Sequence, residues 1–145
     1  MKPLKAEKTI LIADRNPHVR EFLRRELAAA DYHVRLAESG KDLLCTVYKE
    51  LGIHLVILDP DFPDMEQHVL LEKLQNRLPL VPVILHTYLA DCENMNLKDM
   101  FSVVAVIEKE GGSVEKLISA VSDILDNGRK TIIPSFTDNP IRCQP

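Results

Sequence analysis

A chain of 145 residues with 46% hydrophobic content is long enough to bury one core and too short for two ordinary domains, so one soluble domain is expected. Its net charge of −4 gives no electrostatic footprint for nucleic acid, and Arg20, Arg24 and Arg25 are interrupted by Glu21 and Glu26, the pattern of a solvated helix face. Cys45, Cys92 and Cys143 share no CxxC spacing, which argues against a disulfide framework or a zinc site and for a reducing cytoplasm, and neither a secretion signal nor the ~20 apolar residues of a membrane span can be found.

Residues 1–7 form a polar lead. The run TILIA at 9–13 is continuously apolar, as expected of a strand covered on both faces, and it stops at Asp14, Arg15 and Asn16. Val19, Phe22, Leu23 and Leu27 then repeat with helical spacing. YHVRLA at 32–37 is more polar and suits an edge strand. A second helical stripe holds Leu43, Leu44, Val47, Tyr48 and Leu51, and HLVIL at 54–58 is the next strand. Val69, Leu70, Leu74 and Leu78 make a third stripe before the strand VPVIL at 81–85.

From Asp91 to Ser102 a weaker helix is expected, because Met95, Met100 and Phe101 are irregularly placed. VVAVI at 103–107 is the fifth strand. Ser113, following Gly111 and Gly112, is expected to cap a last helix carrying Leu117, Ile118, Val121, Ile124 and Leu125, with Asn127 and Gly128 as its stop. Five strand–helix repeats imply a parallel sheet with helices on both faces, a doubly wound (βα)5 domain over residues 8–128. The segment 129–145 carries three prolines and no helical period; it reads as a loose tail, or as a peptide docking Ile132, Ile133 and Phe136 on a surface.

Open parallel sheets place ligand sites beyond the carboxyl ends of their strands. There the sequence puts Asp14 and Arg15, Asp59, His86 and Thr87, and Glu108 and Lys109. A carboxylate, a hydroxyl and an ammonium converging on one edge form a set suited to phosphoryl groups: nucleophile, neutral donor and cationic clamp. The five histidines lack the spacing of a metal-ligand pair and are expected in structural or surface roles. His86 stands apart because it adjoins Thr87 and could titrate near neutral pH.

The motifs ILIADRNP, LVILDPDFPDME, PVILHTY and VIEKE resemble, in order and spacing, the receiver domain of bacterial two-component response regulators, over about residues 8–128. The resemblance implies a flavodoxin-like five-stranded sheet. It also implies that Asp59 is the phosphoacceptor, Thr87 the switch hydroxyl and Lys109 the phosphate-pairing lysine. Asp14 matches the first of two acidic residues that end the first strand, Pro17 follows them in the usual place, and Pro63 and Met65 match the loop after the phosphoacceptor.

The departures carry equal weight. Arg15 occupies the position of the second acid, which in the family ligates Mg²⁺. A guanidinium offers no lone pair, and two unit charges at 4 Å in an effective dielectric of ~20 interact by ~4 kcal/mol, about twice that against a divalent ion. Arg15 is therefore expected to replace the metal by pairing with Asp59 or Asp14, the alternative being that it points to solvent beside a decayed site, and Asp14, Asp59 and Asp61 are left as weakened Mg²⁺ ligands. Tyr88 stands where the family has a small residue and is expected to cover the approach to Asp59. Val106 replaces the usual aromatic rotor, Glu110 the usual proline, and Asp64 and Gln67 take positions where glycines are favoured.

On these features the expectation is an atypical, stand-alone cytoplasmic receiver without a DNA-binding output domain. It is expected to act through the surface of the fourth and fifth strands and helices on a sensor histidine kinase, a phosphotransfer protein or a downstream target. The rival reading is a haloacid-dehalogenase-like phosphatase, in which Asp59 of the DxD pair is the nucleophile and Asp61 the general acid. Such enzymes need a later acidic pair, and after Lys109 there is only Glu110, followed by Glu115 and Asp123 inside a helix.

Overall fold

The computed structural model describes residues 8–88, 90 and 101–127. In chain order these form β1 (Thr9–Ala13), α1 (Pro17–Ala29), β2 (His33–Ala37), α2 (Gly40–Lys49), β3 (Leu55–Leu58), α3 (Gln67–Gln75), β4 (Val83–Thr87), β5 (Val103–Glu108) and α4 (Ser113–Leu125). All strand pairs are parallel and the order across the sheet is β2-β1-β3-β4-β5. The order reverses beside β1. This opens the crevice between the carboxyl ends of β1 and β3 where doubly wound sheets bind ligands.

The sheet is sealed on both faces because its central strands are built mainly of buried aliphatic residues. Leu11, Val56, Leu58, Val83, Leu85 and Val106 face one layer of core with Leu43 and Val47 of α2 and Leu70, Leu71 and Leu74 of α3. Ile10, Ile12, Leu55, Ile57, Ile84 and Ile107 face the other, with Leu23 and Leu27 of α1 and Leu117 and Val121 of α4. Burial of each large aliphatic side chain is worth about 1.5–3 kcal/mol, which fixes the register and with it the strand ends. The more polar β2 lies at the edge, as expected.

Several elements differ in detail from the sequence expectation. β4 begins at Val83 and runs to Thr87, two residues later than VPVIL suggests, since Pro82 has no N–H to give the ladder and contributes only its carbonyl, to Val56. Leu78, Leu51 and Tyr48 are exposed; α3 ends at Gln75 and α2 at Lys49, so these residues lie past or outside the packed stripes. The turn after α3 is held by Arg77, a buried arginine that donates to the carbonyls of Val47, Glu50 and Pro79 and so satisfies the open carboxyl end of α2. The helix expected over 91–102 falls, except for its last two residues, outside the described residues, as does the tail. No helix among the described residues is long and apolar enough to cross a membrane.

Candidate functional site

β1, β3, β4 and β5 end side by side, and each delivers one polar residue to the same crevice. Asp14 and Asp59 directly follow β1 and β3, Thr87 closes β4, and Lys109 follows β5. The Asp59 N–H donates to the carbonyl of Ala13, and the Lys109 N–H to that of Thr87, so the sheet ladder itself positions the carboxylate and the ammonium.

The centre of the site is a three-body ion pair. Lys109 Nζ lies 2.8 Å from Asp14 Oδ2 and 2.6 Å from Asp59 Oδ2, with all three side chains nearly enclosed. The other oxygen of Asp59 meets neutral donors: the Asp61 amide at 3.0 Å and the Thr87 hydroxyl at 3.3 Å. Asp14 Oδ1 accepts the Asn16 amide at 2.9 Å. Burial pushes the Asp14 carboxyl above its usual pKa despite the help of Lys109 and the Asn16 amide. For Lys109 burial works against the charge, yet the hydrogen bonds and attraction of the two carboxylates outweigh it and hold the ammonium above its usual value.

Arg15 takes a different partner from those expected. Its guanidinium pairs with Asp61 at 3.3 Å, in a contact where both side chains are about half exposed, and not with Asp59 or Asp14. The reason is steric order: Asp14 points inward from the strand end, Lys109 already fills the space between the two buried carboxylates, and Arg15 is the outward residue before the Asn16 cap of α1. Arg20, expected on a solvated face, instead folds back so that Nη1 donates to the Asp14 carbonyl at 2.6 Å. Tyr88 is exposed, and its ring centre lies 5.6 Å from Lys109 Nζ, so the ring flanks the ammonium. Val106 is fully buried in the core, which leaves no aromatic ring at that position to swing.

Two contacts were not legible in the sequence. Asp64 accepts the Gly40 and Lys41 amides at 3.0 and 2.9 Å, tying the loop after Asp59 to the amino end of α2; these bonds hold its carboxyl below the usual range. A side chain at Gly40 would press on Met65 and Asp64 at 3.2–3.3 Å, so the glycine permits the close approach. Ser113 is not the cap of α4 but its first helical residue, Gly112 taking the cap in the left-handed region at φ 86°. The Ser113 hydroxyl pairs instead with His86 Nε2 at 3.1 Å. Burial and the nearby Lys109 charge bring the imidazole pKa down to about 4, so His86 is neutral at pH 7 rather than titrating there. His54, by contrast, is structural: its Nδ1 accepts the Thr9 amide at 3.0 Å.

Comparison with known proteins agrees with this geometry. A family model described as the response regulator receiver domain matches residues 10–122. The chain belongs to that family. A curated relative, Response regulator RR06 of Streptococcus pneumoniae serotype 2 (strain D39 / NCTC 7466), is 33% identical over 82 residues, a match that covers 57% of this chain and 37% of that protein.

Among solved structures, the inactive regulatory domain of the repressor of iron transport regulator RitR superposes with a TM-score of 0.72 at 26% identity, covering 86% of this chain and 99% of that one. TrrA of Thermotoga maritima in complex with Mg²⁺–BeF gives 0.68 at 24%, covering 81% and 99%. TrrA bound to the histidine kinase ThkA gives 0.67 at 25%, covering 81% and 98%. This receiver domain is therefore a two-component signalling fold.

Proposed function

We propose that this receiver domain is a protein-binding signalling module in which Asp59 is the phosphoacceptor and Mg²⁺-dependent phosphorylation is weak. The observation that carries the reading is that every carboxylate of the crevice already has a cation partner: Asp14 and Asp59 share the buried Lys109, and Asp61 pairs with the half-exposed Arg15. Mg²⁺ favours an octahedron of oxygens. The residues present fit it poorly, since no three acidic, histidine or cysteine side chains among the described residues converge in an arrangement that could hold a metal. Any Mg²⁺ that Asp14, Asp59 and Asp61 did attract would have to displace Lys109 or Arg15 and accept a guanidinium beside it.

Thr87 and Lys109 retain the roles of neutral donor and phosphate-pairing cation, because both already contact Asp59. TrrA, similar in fold, has been solved bound to a histidine kinase. On that likeness the partner class here is a sensor histidine kinase, a phosphotransfer protein or a downstream target, and the module itself is not an enzyme. Nothing in the site favours the phosphatase alternative: Asp61, its would-be general acid, is a half-exposed ion-pair partner of Arg15.

The test is Arg15→Asp. The variant removes one positive charge and adds an oxygen ligand at the rim, so Mg²⁺ affinity by calorimetry and Mg²⁺-dependent labelling of Asp59 by acetyl phosphate, read by intact mass, should both rise above wild type. Asp59→Asn is the control and should take no label. Tight Mg²⁺ binding by the wild type, unchanged in the variant, would overturn the weakened-metal reading.

A further inference from the structure

The geometry points to Arg15 as the clamp for the phosphoryl group itself: on this inference, which rests on Asp59 being the phosphoacceptor, Arg15 leaves Asp61 to grip the transferred group, and acyl phosphates label the site without a divalent cation. The two oxygens of Asp59 differ in a way that decides which one reacts. Oδ2 is held by Lys109 at 2.6 Å. Oδ1 has only neutral donors, the Asp61 amide and the Thr87 hydroxyl, and so keeps the higher electron density and faces the rim where Asp61 sits.

Lys109 is already committed to two carboxylates, so an incoming group with two negative charges needs another cation. Arg15 is the candidate on the rim. Its guanidinium is held by the Asp61 carboxylate, and the backbone amide of the same residue donates to Asp59 Oδ1, so Asp61 links the guanidinium to the reacting oxygen. Exposed ion pairs such as Arg15–Asp61 contribute little to stability. Exchanging the partner is therefore cheap, and the released Asp61 carboxylate stays hydrated. A guanidinium fork matches two phosphoryl oxygens at once, a stronger contact than its single long bond to Asp61.

The step balances without any further reactant. Asp59 Oδ1 attacks the phosphorus of an acyl phosphate, the bond from phosphorus to the acyl oxygen breaks, and the carboxylate departs with the electron pair; no proton is transferred. Asp59 passes from one negative charge to two. Arg15 moves onto the new charge and joins Lys109, which already contacts Asp59.

The experiment labels the full chain with acetyl phosphate in Mg²⁺ and in EDTA and follows intact mass over time. Wild type should be labelled slowly and at the same rate in both buffers, within about twofold. Arg15→Ala should lose about 100-fold in both, the scale of removing one preorganised charge-stabilising donor, and Arg15→Lys should recover part of the loss. Because Arg15 is exposed, both variants should unfold at the wild-type midpoint, which separates loss of the clamp from loss of fold. Labelling that requires Mg²⁺, or an Arg15→Ala rate equal to wild type, overturns the clamp. Absence of label in either buffer also overturns it, whereas the weakened-metal reading fails only on tight Mg²⁺ binding.

Discussion

Replacing Lys109 with methionine keeps the length of the side chain and removes the positive charge between two buried carboxylates. With Nζ at 2.8 and 2.6 Å and an effective dielectric of ~20, each attraction is gross roughly 6 kcal/mol. Much of that is offset by the several kcal/mol it costs to desolvate each ion, so the net loss on removing one partner of such a cluster is about 3–5 kcal/mol. Urea unfolding at pH 7 should show this loss, with a midpoint lowered by roughly 10–20 °C in a thermal scan.

The pH dependence supplies the sharper check. Asp14 already has a raised folded pKa, and a raised carboxyl costs stability as pH rises through that value and returns it as pH falls. Without Lys109 the value climbs further, so Lys109→Met should regain stability relative to wild type between pH 7 and 5, and the double variant Lys109→Met with Asp14→Asn should recover about half the deficit at pH 7. A single variant within about 1 kcal/mol of wild type at pH 7, or a double variant no more stable than the single, would refute the view that these three groups form one electrostatic unit.

His86 gives a second pH signature. Its folded pKa near 4 lies below the unfolded value of about 6.5, so the stability it contributes is present above pH 6.5 and is lost as pH falls towards 4, in all about 3 kcal/mol; His86→Gln should flatten that part of the urea-stability profile. Tyr88→Ala should leave stability within about 1 kcal/mol and speed labelling of Asp59 a few-fold by uncovering Lys109, equal labelling rates showing that the ring does not limit access. Truncation after Gly128 should shift the thermal midpoint by no more than about 2 °C, because the core closes with Leu117, Ala120 and Val121 of α4; a larger fall would show that the tail packs on the domain.

The strands, their parallel order and the residues at their ends were determined by sequence alone, for a physical reason. Continuous apolar runs such as TILIA and LVIL must be covered on both faces, the alternation with helical stripes leaves the right-handed crossover as the solution, and strand ends then follow from where apolar runs stop. Asp14, Asp59, Thr87 and Lys109 could be assembled that way because Asp14 and Asp59 are the first polar residues, and Thr87 and Lys109 the second, after an apolar run.

What tertiary structure alone decided was pairing. Arg15 was expected on Asp59 or Asp14 and pairs with Asp61, because the space between the buried carboxylates is taken by a lysine that arrives from β5, two strands from β3 and three from β1 across the sheet. Asp64 reaches Gly40 and His86 reaches Ser113 across 24 and 27 residues of chain. Neither contact leaves a periodic trace in sequence. Side-chain direction at a strand end depends on which neighbour arrives first to neutralise it, and that is a property of the packed sheet.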